Sequence, residues 1–282
     1  MTDFATSQPL RTLLGRLATE PAVLVEVCAT EGSAPREPGA WMAVFAGTAL
    51  GTVGGGHLEW DAIAQARTQL ASAAPQGEVC QRRVALGPSL GQCCGGAVTL
   101  RFQRVGPGDV SLLATRLTQQ AQRRLRPVAL FGGGHVGHAL VRVLAPLPFA
   151  LSWIDSRDGV FPDPLPGGVV CDHSEPVQAA VPHLAAQSLV LIMSFSHAED
   201  LDVLAACLLR QRQRADLPYI GLIGSRTKWA TFRHRLEARG FAASELAQVT
   251  SPIGIAGIQG KEPEVIAVAV AAQLLQTRYP PA

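Results

Sequence analysis

Two turns in this sequence set glycines between an apolar run and a helical pattern, as a backbone that holds an anion requires. The clearer one is Gly132-Gly133-Gly134-His135-Val136-Gly137, which follows Val128–Phe131 and opens a helix. Gly132 permits the tight turn, Gly134 lets the backbone approach a pyrophosphate, and Gly137 lets the helix pack on the sheet. The free amides of the helix start, His135 among them, then face the anion. The next apolar run ends in Asp155, which suits a carboxylate gripping a ribose 2′-hydroxyl. Arg157, two residues on, can meet a 2′-phosphate instead, which leaves NAD and NADP both open. A plain turn that needs glycine is the competing reading.

The second turn is Thr52-Val53-Gly54-Gly55-Gly56-His57. Gly54, Gly55 and Gly56 read either as an anion nest or as a sharp strand-to-helix corner. Glu59 falls in the first helical turn, where the helix dipole favours an acid anyway. A third loop, Gly87 to Gly96, carries Cys93-Cys94 among small residues. It has no C-x-x-C partner, so a structural zinc site is not expected. A thiolate there can hold a soft metal such as molybdenum, with Cys93 as the candidate contact, or pass sulfur. Two small buried residues in a tight loop, or a strained disulfide switch, are the alternatives. Cys28, Cys80, Cys171 and Cys207 fall within strand or helix patterns and read as core.

Two further loops carry polar groups. Ser194-Phe195-Ser196-His197-Ala198-Glu199-Asp200 offers His197 as a proton donor or metal ligand, with Asp200 to orient it or to cap a helix. Gly224-Ser225-Arg226-Thr227-Lys228 puts Arg226 and Lys228 at a helix start, against the dipole, which reads either as a site for an anionic partner or as a plain solvated helix start.

These loops need elements to hold them. The 282 residues, 48% hydrophobic and 16% charged, suffice for one large or two ordinary folded domains. An α+β domain is expected over residues 1–124: a helix at 8–19, strands near 22–29, 41–46, 49–53, 79–86 and 97–105, a helix at 57–73, and a bridging helix at 109–124. A Rossmann-like domain is expected over 125–282. Its strands are at 127–131, 149–155, 168–171, 188–193 and 218–223, and its helices at 135–145, 175–184, 199–213, 226–239 and 262–277. Such alternation implies parallel strands with crossover helices, and a ligand crevice at the ends of the first and fourth strands.

A net charge of +2 argues against nucleic acid, since Arg123-Arg124-Leu125-Arg126 suits a helix end. No signal peptide is visible in residues 1–10, and Val265–Leu275 is about half the length of a bilayer helix. The expectation is therefore a soluble cytoplasmic protein. Ile266, Val270 and Leu274 recur along the last helix and read as packing on the parent sheet or as the seam of a homodimer.

Taken together, Thr30–Ala40 (TEGSAPREPGA), Gly51–Glu59 (GTVGGGHLE), Leu90–Gly96 (LGQCCGG), Gly132–Gly137, Asp155–Arg157, Tyr219–Lys228 (YIGLIGSRTK), Ser251–Gly254 and Lys261–Glu264 resemble the xanthine dehydrogenase accessory protein family (XdhC/CoxI-like) over nearly the whole chain. The resemblance implies a chaperone, not an enzyme in the strict sense. Such proteins bind molybdenum cofactor and shelter it while a cysteine desulfurase supplies the terminal sulfido ligand. They then deliver it to the large subunit of a xanthine dehydrogenase-type hydroxylase. The family often has Thr-His-x-His after the fourth strand of its second domain. Here it is Ser194-Phe195-Ser196-His197, so a two-histidine metal site is not expected. The expected arrangement has the cofactor in a cleft between the domains with Cys93 or Cys94 near molybdenum. An NAD(P)-dependent oxidoreductase with His197 as acid–base group, and a redox-sensing regulator, are the other readings.

Overall fold

The computed structural model describes residues 8–72, 77–87 and 95–278. The chain divides into two units, one over residues 5–123 and one from Arg124 onward.

The first unit is built around β1 (Ala22–Glu31), whose first half is buried on both faces. Alternation sends Val23, Val25 and Val27 to one side and Ala22 and Leu24 to the other. With β2 (Trp41–Val44), β3 (Ala49–Gly51), β4 (Val79–Ala85) and β5 (Ala97–Val105) it forms an antiparallel sheet in the order β3-β2-β1-β5-β4. Leu58, Ala62 and Ala66 of α2 (Gly56–Ala71) cover the valine face. The opposite face is covered by Leu10, Leu13 and Leu17 of α1 (Gln8–Leu17) and by Leu113 and Leu117 of α3 (Val110–Gln122).

The second unit is a six-stranded parallel sheet in the order β11-β10-β9-β6-β7-β8. Its strands are β6 (Arg126–Phe131), β7 (Phe149–Asp155), β8 (Val169–His173), β9 (Leu189–Ile192), β10 (Tyr219–Leu222) and β11 (Val249–Thr250). The order reverses at β6, which pairs with β7 on one side and β9 on the other, so the crevice lies over β6 as expected. One face packs against α4 (His135–Leu144) and α8 (Pro263–Arg278). The other packs against α5 (His197–Arg214), α6 (Arg226–Ala238), the short α7 (Ala243–Leu246) and a 3-10 segment, Val177–His183. The mixed α/β architecture with a C-terminal Rossmann domain is the one anticipated.

Several local expectations change. Where an α-helix is expected at 175–184 there is a 3-10 segment, Val177–His183; Pro182 inside it has no N–H to donate and its ring obstructs the preceding turn. A sixth strand, β11, has only two residues, too few for a periodic signal. Val270 and Leu274 are fully buried against the α4 face and Ile266 is half-buried there, so this stripe is packing, not a free dimer seam. Cys207 is core, and burial pushes its thiol up to about 12. Cys171 is half-buried, but Cys28 and Cys80 are exposed, Cys80 because it lies in the edge strand β4, where every residue but Val84 is exposed. No helix among the described residues is long and apolar enough to cross a membrane.

Candidate functional site

The glycine turn after β6 is shaped by close approach. Gly132 has φ +125°, and a side chain there would strike the Met193 carbonyl oxygen at the end of β9. A side chain on Gly137 would strike the Gly132 carbonyl, which also accepts a 2.9 Å hydrogen bond from the Trp153 indole. Gly132 thus makes the turn and Gly137 lets α4 close on it, as the spacing predicts. An added Cβ at Gly134 meets nothing, so this part of the turn is open. Gly134 is the N-cap of α4 with no side-chain cap, and His135 begins the helix. Over Gly133 the space is filled: a Cβ would lie 2.8 Å from Val160.

Asp155 sits beside this turn at the end of β7, and its side chain is 1% exposed. Its Oδ2 accepts from the Gly133 amide at 2.6 Å and from Nη2 of Arg157 at 2.9 Å. Its Oδ1 accepts from the Arg157 amide at 2.9 Å and from Nε at 3.0 Å. Burial alone would raise the carboxyl pKa. The bonds from Arg157 and Gly133, with the guanidinium charge, outweigh it and hold the group below the usual carboxylate range. Arg157 lies over the exposed ring of Phe195, 4.5 Å from its centroid. The neighbouring Ser156 hydroxyl donates to Glu199 Oε1 at 2.6 Å, and Glu199 Oε2 accepts from the Phe195 amide at 3.1 Å.

After β9, Ser196 caps α5 by accepting from the Glu199 amide. Asp200 therefore neither caps that helix nor orients His197. It is 2% exposed, accepts from the Ser194 amide at 2.7 Å, and pairs with Lys228 Nζ at 2.6 Å. Lys228 also donates to the Ile223 carbonyl. This buried pair ties the loop after β9 to the loop after β10, so Lys228 is not the free cation expected there. Arg226, the first residue of α6, is exposed. His197 is the first residue of α5, edge-on to Phe232 with centroids 6.0 Å apart. It lines a surface cavity of about 320 Å³ with Thr227, Lys228, Thr231 and Arg235. Among the described residues, no three His, Cys, Asp or Glu side chains converge to hold a metal.

The N-terminal turn has its own anion. Gly54, Gly55 and Gly56 all have positive φ, and the Gly54 amide donates to the Thr52 hydroxyl at 3.1 Å. Glu59 Oε2 accepts from the Val53 and Gly55 amides, both at 3.1 Å, and from the Thr52 hydroxyl. The strand-to-helix corner is thus closed by Glu59 of the same chain. A carboxylate four residues past the middle glycine, on the first helical turn, was the available signal.

Neighbouring loops crowd this turn. A Cβ on Gly54 would lie 2.5 Å from Pro35, and one on Gly96 would lie 2.5 Å from the Ser33 carbonyl oxygen. The loops at residues 30–39 and 51–59 and the return of the cysteine loop at Gly95–Gly96 therefore meet. Cys93 and Cys94 themselves lie outside the described residues.

Comparison with known proteins adds family context. A family model described as the XdhC Rossmann domain matches residues 128–274, and one described as the XdhC and CoxI family matches residues 16–83. The chain is 26% identical over 263 residues to the uncharacterized protein YqeB of Escherichia coli K12, covering 92% of this chain and 44% of that one. It thus spans under half the length of that relative. It also resembles a crystal structure from Bacillus halodurans described as a xanthine dehydrogenase, with a TM-score of 0.71 and 20% identity over 96% of each chain. That likeness speaks for the fold.

Proposed function

Because the chain belongs to the XdhC family, we propose that it is an accessory protein in the maturation of a xanthine dehydrogenase-type hydroxylase. Its cargo in this reading is molybdenum cofactor, which it protects, presents to a cysteine desulfurase for sulfuration, and passes to the hydroxylase large subunit. The cargo combines a phosphate, a pterin and a dithiolene-bound metal.

The observation that carries the reading is the meeting of the three N-terminal loops. The crowding that makes glycine necessary at Gly54 and Gly96 draws their segments onto Pro35 and Ser33. In the sequence Cys93 and Cys94 lie just before Gly95-Gly96. A thiolate on a loop of small residues suits a soft metal, and we assign the molybdenum end of the cargo to Cys93 or Cys94. An anion entering the Gly54–Gly56 nest would have to displace Glu59, so the cargo phosphate is not assigned there.

Anaerobic purification from cells that make molybdenum cofactor tests the proposal. Metal analysis and pterin detection should return molybdenum and pterin together, near one per chain. Bound nicotinamide with neither would contradict it.

A further inference from the structure

A Rossmann unit with a glycine turn and an acid at the end of its second strand would ordinarily be assigned a dinucleotide. The side chains present do not fit that ligand. We infer that this crevice excludes nicotinamide dinucleotides, because the groups that would grip one are bonded to each other.

Three observations point the same way. First, the ribose acceptor is taken. A ribose diol would need a carboxylate oxygen of Asp155, yet both oxygens hold two donors each, from Gly133 and Arg157, and the side chain is 1% exposed. Exchange would break the fork from the half-buried Arg157 guanidinium and leave the half-buried Gly133 amide without its acceptor, which offsets what a ribose hydroxyl would gain. Second, Val160 fills the space over Gly133 on the Asp155 side of the turn, the side a ribose would have to reach, while the turn stays open only at Gly134. Third, the crevice is bridged. β6 lies between β7 and β9, so a dinucleotide would have to cross from the loop after β7 to the loop after β9. Those two loops are joined by the Ser156–Glu199 bond and by Arg157 stacked on Phe195. Arg157, the residue that could have met a 2′-phosphate, is thus the centre of the clasp. Asp155 acts as a positioning residue for the turn.

Titration of the intact chain with NADH and with NADPH, followed by nicotinamide fluorescence and by calorimetry, tests this. No saturable signal is expected up to millimolar ligand. Arg157→Ala frees part of the Asp155 carboxylate and removes the stack on Phe195. It should strengthen NADH association by about tenfold or more, the scale of one released hydrogen-bonded charge. Circular dichroism establishes that the variant is folded, and Arg157→Lys serves as a second variant that keeps the charge but loses the fork. Saturable binding by the unaltered chain would overturn the inference. So would folded Arg157→Ala and Arg157→Lys chains that bind NADH no better than the unaltered one. Neither result bears on molybdenum content, which is measured separately.

Discussion

The two glycine turns are the same device built at two ranges. In each, a strand ends, glycines bend the chain, a helix begins, and a carboxylate of the same chain accepts from a turn amide. Glu59 does this from within the helix that the turn opens, four residues past Gly55. Asp155 does it from the next strand, 22 residues past Gly133. The local version is half-buried and holds together one corner. The long-range version is buried, recruits Arg157, and ties the turn to the rest of the Rossmann sheet. An anion nest in a sequence is therefore not yet a ligand site, because the nearest carboxylate has first claim on it.

That comparison breaks most sharply at the glycines themselves. Gly132→Ala should destabilise the C-terminal unit by about 3–5 kcal/mol, combining overpacking against Met193 with a positive φ that alanine resists. Gly54→Ala, against Pro35, should cost the N-terminal unit a similar amount; urea unfolding of each variant checks both. Next come the carboxylates. Asp155→Ala should cost about 2–3 kcal/mol, since it removes a buried carboxylate and leaves a half-buried guanidinium and the Gly133 amide without their acceptor. Glu59→Ala should cost about 1–2 kcal/mol, since its partners are neutral and nearer solvent. Amide exchange should show lost protection at Gly133 in the first variant and at Gly55 in the second. Equal losses would erase the distinction drawn here.

Acid provides a gentler test. The folded pKa of Asp155 lies below its unfolded value of about 3.9. Its stabilisation is therefore whole above that value and lost as pH falls through the folded pKa. The stability gap between the unaltered chain and Asp155→Asn should narrow from about pH 4 downward, and a gap that widens there would contradict the assignment. The smallest effect belongs to Gly134→Ala, where an added methyl meets open space: a change within about 0.5 kcal/mol is expected.

Much of this was legible in the sequence, for physical reasons. Alternating apolar runs and helical patterns from residue 127 dictated parallel strands, and β7 falls at 149–155 as read. Gly132 and Gly137 were legible because their roles depend on backbone spacing alone. What was not legible was who bonds to whom. Asp155 reads as a ribose ligand from spacing, but its link to Arg157 depends on how a buried loop turns back. Asp200 reads as a cap because of where it stands, but Ser196 takes that place, and Asp200 finds Lys228 across 28 residues. The length of β11 and the 3-10 path around Pro182 escaped for lack of periodicity.

Molybdenum content of Cys93→Ala and Cys94→Ala chains, purified without oxygen beside the unaltered chain, tests most directly whether the cysteine loop holds the metal end of the cargo. The account predicts that at least one variant loses most of its molybdenum while Glu59→Ala keeps its own. Normal loading in both cysteine variants would contradict it.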